Sequence, residues 1–427
     1  MRISTVIQNL INAFQSPPPP APPAAIPETS MDYGYGYYGK STVSGKRVSV
    51  ETAKSLATAY RCANILSDDI ASMPLQVFQR FGGVIEQVKP DAITRNLPYL
   101  LEIQPNRWMT PFVWKKTIIQ WLLNWGNSYI WQPPDAYREL FILPANVTYP
   151  VFDQEGSLWF KTRTPSGAEL TLPGVEICHL MINSTDGISG RSVITYAAET
   201  MGRQLGAHET QNRLNGKGLN PAAILWIAKE ANEDAREKIR QAYTNSISGS
   251  DNAGGVAIFD PKITKFETVS MKPSDAQFLE SIEATDAEIA NFFGMPLYKI
   301  NMGKQSYESN EQQKLDYLQT TLNPYLVQQE QAGRLCWLRR EEQSYTYLKY
   351  NRESLLQTDA KTRAAYLKEK ILSGQMSPNE ARAIEDLSPY SGGDKRYMPA
   401  NMGMILEDGS LQTGLKSIQE VKTMEGA

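Results

Sequence analysis

The chain has 427 residues, 41% hydrophobic and 21% charged, a globular composition with material for several packed units. Its net charge of −3, from 43 basic and 46 acidic residues, gives no hint of the basic face of a protein that grips nucleic acid through phosphates. Three separated cysteines (Cys62, Cys178, Cys336) fit buried thiols in a reducing compartment, two histidines (His179, His208) leave no room for a His-rich zinc site, and no apolar run approaches the ~18–20 residues of a membrane span.

Met1–Gln15 sets Ile3, Val6, Ile7, Leu10, Ile11 and Phe14 at i, i+3, i+4, i+7, i+8 and i+11, an amphipathic stripe suited to docking on a partner. Arg2 is its single basic residue, which disfavours a membrane surface, and interleaved Asn, Gln, Ser and Thr disfavour a secretory signal. SPPPPAPPAAIP (Ser16–Pro27) reads as a stiff spacer and MDYGYGYYGKS as a flexible one. The first domain is expected from Arg47, where VSVETAKSLATAYRCANILSDDIASM has helical spacing; Pro74 ends that helix, and PLQVFQR alternates like a strand. A helix over Pro111–Trp125 carries Trp114, Ile118, Trp121, Leu122 and Trp125 on one side, a core stripe rather than a cofactor platform. Strands are expected around Ser128–Gln132, Glu139–Leu143, Val147–Phe152, Leu158–Thr162 and Val175–Met181.

Ser192–Asn215 is a long helical stretch closed by Gly218, Asn220 and Pro221. A β-α-β-β insert follows: strand Ala222–Ile227, charged helix Asn232–Ser246, strands Gly254–Phe259 and Lys265–Met271. If the flanking helices Ser192–Asn215 and Asp275–Phe293 pair antiparallel, the insert projects from their far end with its tip exposed. The second of these helices has an apolar stripe (Phe278, Ile282, Ile289, Phe293) and five acids (Asp275, Glu280, Glu283, Asp286, Glu288) without Lys or Arg. At 100° per residue, Glu280, Glu283 and Glu288 fall opposite the stripe. A loop, Leu297–Gln305, leads into YESNEQQKLDYLQTTLNPYLVQQE, too poor in apolar residues for ordinary core and expected to face water, or a water-filled passage, along most of its length. Ser344–Asn351 is a late strand returning to the first sheet. Two helices follow, TDAKTRAAYLKEKILSG and SPNEARAIEDL, capped by Thr358 or Asp359 and by Ser377–Pro378 with Glu380; Gly374 stops the first. The tail after Ser391 has few apolar residues and reads as flexible.

One formal enzyme motif stands out. Gly34–Ser41, GYGYYGKS, satisfies the phosphate-loop expression, and VAIFD (Val256–Asp260) could pass for the strand whose acid assists magnesium. A working phosphate loop needs a buried strand before it and a helix immediately after, so that nested amides cradle the phosphates. Here a proline tract precedes the motif and TVSGKRVSVET follows. An ATP-driven ring enzyme is therefore the alternative to beat, not the preferred reading. There is no G-x-S-x-G elbow and no HExxH; His179 in ICHLMI reads as a core or strand-end histidine, and His208 as solvated or subunit-facing. Asp68–Asp69 and Glu341–Glu342 count as solvated charges, because adjacent helical residues do not converge. No catalytic, cofactor-binding or metal-ligating residue is expected.

Taken in order, the blocks YRCANILSDDIASMPLQVF, NLPYLLEIQPNRWMTPFVWKKTIIQWLLNWGNSYIW, LFILPANVTYPVFD, HLMINSTDGISGRSVI, LNGKGLNPAAIL, EIANFFGMP, SYESNEQQ and GQMSPNEARAIEDLSPYSGGD resemble the portal, or head–tail connector, proteins of long-tailed bacteriophages. The resemblance runs from about Val48 to Met402 and includes a PN-x-x-x-T turn, a GN-[AS]-Y end and a DGI-x-G-x-S turn at Asp186–Ser192. It implies an α+β portal fold in a closed ring with a central channel, usually of twelve subunits, at one capsid vertex, through which DNA is packaged and ejected. Beyond an amphipathic helix 1–16 and a linker 17–46, which lie outside the resemblance, the implied regions are a wing 47–191, stem helices 192–216 and 274–294 around a clip 217–273, a tunnel loop 295–306, a tunnel helix 307–338 kinked at Pro324, a wing return strand 339–356, crown helices 357–390 and a tail 391–427. The sequence departs from the family at Met295–Pro296–Leu297–Tyr298, where members often have two prolines, and no role transfers to the amphipathic start.

The implied partners are other copies of the chain, double-stranded viral DNA, the terminase large subunit, a head–tail adaptor and a major capsid or scaffolding protein, with no membrane and no cofactor. The location implied is the virion vertex, and the host cytoplasm during assembly. Lys299, Asn301, Lys304, Gln305, Tyr307, Glu308, Asn310 and Glu311 would line the tunnel, Glu280, Glu283 and Glu288 the acidic stem face, and Lys229, Glu230, Glu233, Asp234 and Arg236 of the clip would meet terminase or adaptor. Charge supports the channel reading, since a basic lining would become a brake when ~6–10 phosphate contacts already carry factors of ~10³–10⁵ in affinity. Lys299 and Lys304 are the expected DNA-touching cations, or else ordinary loop lysines. A closed ring also needs heterologous contacts, one face of each subunit meeting a different face of the next.

Overall fold

The computed structural model describes residues 39–134, 138–164, 167–216, 223–227, 263–268, 275–302, 310–355, 360–385, 387–396, 403–405 and 411–413. The amphipathic helix 1–16, helix Asn232–Ser246, strand Gly254–Phe259 and the caps Thr358 and Asp359 lie outside them. The chain divides into two units, Met1–Leu355 and Leu356–Ala427.

The first unit opens with the antiparallel pair β1 (Lys40–Ser41) and β2 (Arg47–Val48). The helical run expected next splits into α1 (Val50–Lys54) and α2 (Ala57–Ser72). Ser49 and Thr52 form a capping box, and Leu56 between the helices is extended, with ψ 118°. α2 buries Ala59, Cys62, Ala63, Leu66 and Ile70, a stripe at helical spacing. Met73 is already extended before Pro74, and the chain turns into β3 (Leu75–Phe81) and β4 (Val84–Gln87). Neither β4 nor α3 (Leu97–Glu102) was expected: β4 is exposed at every position and so has no inward apolar alternation, and α3 is only 6 residues long.

α4 (Pro111–Trp125) starts at Thr110, whose side chain accepts from the Val113 amide, and stops at Gly126, φ 79°. It buries Trp114, Ile118, Ile119, Leu122 and Leu123. Trp121 and Trp125 pack on a cluster of Tyr129, Trp131, Phe141 and Phe160, so the aromatic stripe is core. At about 1.5–3 kcal/mol per large side chain, this cluster is a principal source of the unit's stability. β5 (Asn127–Trp131), β6 (Phe141–Leu143), β7 (Tyr149–Phe152), β8 (Leu158–Arg163), β9 (Glu169–Pro173) and β10 (Ile177–Met181) follow. They form two three-stranded sheets, β10-β5-β6 and β7-β8-β9, every pairing antiparallel. β9 was not expected, and β10 starts at Ile177 rather than Val175 because Gly174–Glu176 is a 3₁₀ turn.

α5 (Val193–Gly216), the antiparallel pair β11 (Ala223–Ile227) and β12 (Ile263–Thr268), and α6 (Asp275–Phe292) come next. The stretch Leu297–Ile300 is a 3₁₀ turn with Ile300 buried, not plain loop. α7 (Asn310–Asp316), a π turn Tyr317–Leu322 and α8 (Asn323–Trp337) replace the single long helix. The π geometry sits immediately before Pro324, which has no N–H to offer the α ladder; the Asn323 amide instead reaches back to the Leu318 carbonyl. The expectation that this segment faces water along most of its length is corrected. Tyr317, Leu318, Thr321, Leu322, Leu326, Gln329 and Gly333 are buried, α8 packs on β10, and Tyr350 of the next strand bonds Gln329 at 2.8 Å. Small and amide side chains there permit close approach, so polarity of composition did not mean exposure. β13 (Thr346–Tyr350) pairs with β3, giving the sheet β13-β3-β4, as expected of the late strand. Cys178 and Cys336, remote in sequence, are both free and hydrogen-bonded to each other; this bond and burial push the Cys178 thiol well up.

The second unit holds α9 (Ala360–Leu372) and α10 (Pro378–Ile384). Gly374, φ 69°, ends the first, and Ser377 with Glu380 forms a complete capping box on the second. The tail is not wholly irregular: β14 (Gly403–Ile405) and β15 (Leu411–Thr413) pair antiparallel across an Asp-Gly turn signal in the sequence.

Candidate functional site

Three short turns fix where the long helices begin. In the PN-x-x-x-T turn, buried Asn106 donates to the Leu140 carbonyl at 2.9 Å and accepts from the Met109 amide at 2.9 Å, just before the Thr110 cap. At the GN-[AS]-Y end, Asn127 clamps Gly190: its Oδ1 accepts the Gly190 amide at 2.7 Å and its Nδ2 donates to the Gly190 carbonyl at 2.9 Å. In the DGI-x-G-x-S turn, Asp186 accepts the Ile188 amide at 2.8 Å and the Ser189 amide at 2.9 Å, and these bonds hold its carboxyl down at about 2. Ser192 then donates its hydroxyl to the Leu123 carbonyl and accepts from the Ile194 amide at 3.0 Å, starting α5. His179 completes the knot, 2.9 Å from Asn127 Oδ1 and stacked on Tyr129 at 4.4 Å between centroids. Since that Oδ1 is an acceptor, His179 Nε2 carries the proton. Although part of the ring stays accessible, its desolvated setting lowers its pKa to about 3, so it is a neutral structural histidine.

α5 and α6 run antiparallel. Arg203 pairs with Glu288 at 2.5 Å, while the adjacent Gln204 donates to Asp286 at 2.6 Å; Asp286 also accepts from Thr58 of α2. Glu288, one of the acids expected on the stem face, is exposed and carries a cation of the neighbouring helix beside it. Glu283 is exposed and lines a groove of about 490 Å³ with Thr58, Arg61, Asp286 and Asn301. Glu280 lies in α6, but its side chain lies outside the described residues.

The 3₁₀ turn Leu297–Ile300 is tied down on two sides. Lys299 Nζ meets Asp69 Oδ2 at 3.1 Å and lies 4.5 Å from the centre of the Tyr317 ring, while Tyr317 donates its hydroxyl to the same Asp69 oxygen at 2.9 Å. Arg61 donates to the Lys299 carbonyl at 3.2 Å, and Tyr298 to the Gln313 carbonyl at 2.9 Å. Burial first, and the Asp69 charge next, push the Tyr317 hydroxyl pKa far up, keeping it a donor. Lys299 is thus neither an ordinary solvated loop lysine nor a cation with an unoccupied charge. Asp68 and Asp69 do not act as a solvated pair either: Asp68 turns to Lys116 at 2.5 Å and Asp69 to Lys299. The sequence reading missed Asp69 and Tyr317. The available signal was an acid three residues beyond Leu66, at the edge of the buried stripe of α2.

Asn301 is exposed and left-handed, φ 61°, at the end of the 3₁₀ turn. Lys304, Gln305, Tyr307 and Glu308 lie outside the described residues; Asn310 and Glu311 open α7 with their side chains outside them too. Lys229, Glu230, Glu233, Asp234 and Arg236 also lie outside, between β11 and β12. The end of the phosphate-loop match is described: Lys40 and Ser41 form β1, paired with β2, where a phosphate loop would pass into a helix.

The family model described as phage portal protein matches residues 57–386. The chain belongs to the phage portal protein family. Among its curated relatives, the portal protein of Enterobacteria phage HK97 is 24% identical over 391 residues, covering 90% of this chain and 89% of the relative. The probable portal protein of Streptomyces phage phiC31 is 23% identical over 389 residues, 87% of this chain and 83% of the relative. Among solved structures, the neck of a native gene transfer agent particle computed with C12 symmetry aligns with a TM-score of 0.52 at 20% identity, over 90% of this chain and 100% of that one. An HK97-family portal protein from Corynebacterium diphtheriae aligns with a TM-score of 0.53 at 16% identity, over 71% and 95%. The α+β portal fold is therefore this chain's fold, and a portal function at the capsid vertex goes with the family. Nothing among these relatives supports the phosphate-loop enzyme.

Proposed function

We propose that copies of this chain close into a twelve-membered ring that conducts double-stranded DNA during packaging and ejection. The observation that carries this reading is the family match across 57–386, which spans the antiparallel pair α5–α6 and the α7–π–α8 segment. Twelvefold order is supported by the gene transfer agent neck computed with C12 symmetry; another neck of that particle, empty, was computed with C6 symmetry, which a twelvefold ring also satisfies. In this reading α5 and α6 are the stem, β11 and β12 belong to the clip, the 3₁₀ turn opens the tunnel loop, α7 to α8 form the tunnel helix, and α9 and α10 the crown. The ring sits in the virion after assembly in the host cytoplasm, binding terminase and then an adaptor through the clip around Lys229–Arg236, and a capsid or scaffolding protein at its rim. It works as a conduit and platform, not as an enzyme.

Electrostatics suits a passage for a polyanion. Exposed Glu283 repels phosphate, while Glu288 and Lys299 are neutralised within the subunit, so neither sign dominates. The cation of the tunnel loop that this leaves for transient contact with DNA is Lys304. Negative-stain electron microscopy of the purified full-length chain tests the ring: hollow end-on views with rotational symmetry are expected, and compact particles without a central hole would refute it.

A further inference from the structure

From the clasp on Lys299 we infer that Asp69 is a positioning residue of the channel: it holds Lys299 against the protein and thereby removes one cation per subunit from the surface offered to passing phosphate. The inference rests on the proposed channel reading, which makes Leu297–Ile300 the root of the tunnel loop.

Three contacts converge on the ammonium and its counter-ion. Asp69 Oδ2 takes both the Lys299 ammonium at 3.1 Å and the Tyr317 hydroxyl at 2.9 Å, and the Tyr317 ring lies 4.5 Å from the same ammonium. The side chains of Lys299 and Asp69 retain 26% and 22% of their accessible surface, so solvent screens the pair only partly. The members of the clasp come from three separate elements: Asp69 from α2, Lys299 from the 3₁₀ turn, Tyr317 from the π turn. Arg61, two turns earlier on α2, fastens the backbone of the same turn by donating to the Lys299 carbonyl. The Asp69 carboxylate offsets the charge of the ammonium, and without it that charge stands uncompensated at the edge of the loop. In a ring of identical subunits, that change is repeated around the circumference. Binding of a polyanion then rises through counter-ion release, and each further phosphate neutralised adds about 0.9 to the salt slope.

The test uses rings of the full chain as wild type, Asp69→Asn, Lys299→Gln and the double variant. Asn is isosteric with Asp and still accepts from Tyr317. Two quantities are read: the salt dependence of binding to a short random-sequence duplex, and the rate of Lys299 acylation by a succinimidyl ester without DNA, followed by mass spectrometry. Asp69→Asn is expected to steepen the salt slope by about 0.9 or more and to speed Lys299 acylation several-fold. Lys299→Gln alone uncovers the Asp69 carboxylate and should not steepen the slope, and the double variant, with both charges of the pair removed, should return to the wild-type value. A flatter slope for the double variant than for wild type would overturn the inference, since Lys299 would then already contact phosphate. So would an Asp69→Asn protein whose acylation is unchanged, or whose acylation rises with no change in slope. Failure of the channel reading shows separately, as the absence of hollow rings, because acylation reports the clasp with or without a ring.

Discussion

Replacing Asn127 with Ala should loosen the start of α5 by an amount that the geometry sets. Asn127 is buried, and its carboxamide accepts from Gly190 and His179 and donates to the Gly190 carbonyl. Truncation removes that acceptor and leaves two donors, the Gly190 amide and His179 Nε2, with no partner and no room for bulk water. Each orphaned buried donor costs about 1–3 kcal/mol, so the local opening free energy should fall by roughly 2–6 kcal/mol. At 1.4 kcal/mol per decade, the Gly190 and Arg191 amides should exchange with solvent roughly 30-fold to roughly 20,000-fold faster. Hydrogen–deuterium exchange is the right assay, because a chain of two units need not unfold in one step and local opening is what the substitution alters. Glu86→Ala on exposed β4 is the control, with an expected effect within about 0.5 kcal/mol. If Asn127→Ala leaves those amides within about 3-fold of wild type, the clamp does not hold the helix start and the reasoning fails.

Gly190→Ala should be more damaging still: its Cβ would lie 2.0 Å from the Gly126 carbonyl oxygen and 2.8 Å from that of Ile182, both backbone atoms. We expect a loss of about 3 kcal/mol or more, seen as a lower melting temperature by circular dichroism; a melting temperature equal to wild type would contradict the packing. For His179, the folded pKa of about 3 lies below the ordinary 6.5, so below that value the unfolded chain binds the extra proton. Stability should therefore be full above about pH 6.5 and decline towards pH 3, by at most about 1.4 kcal/mol per unit from this group, and urea midpoints of His179→Gln should decline less over that window. The Arg203–Glu288 pair is about half exposed, so Arg203→Gln should cost under about 1 kcal/mol in thermal stability, and less in high salt; a larger, salt-independent loss would refute the surface assignment.

Helix placement was largely legible where caps and breakers agree with periodicity. Thr110 and Gly126 bracket α4, Ser377 with Glu380 opens α10, and Gly374 ends α9. The failures have physical causes. α1 and α2 read as one helix because nothing in Ser55–Leu56 resembles a breaker; Ser55 ends the first helix by bonding back to the Thr52 carbonyl at 2.7 Å. The π turn was foreseen only as a kink at Pro324, and the segment's buried face was hidden by Gln329, Thr321 and Gly333, which pack without looking apolar.

What the amino-acid order determined by itself was the longer helices and most core strands, the late strand's return to the first sheet and the family to which the chain belongs. Those rest on period, caps and short motifs, whose energies are spent within a few residues of chain. Which charges meet was decided only by the tertiary structure. Lys299 and Tyr317 reach Asp69 across 230 and 248 positions, and Gly190 reaches Asn127 across 63. An isolated acid or lysine carries no local mark of its distant partner, because a pair of that kind exists only once the helices between them have packed.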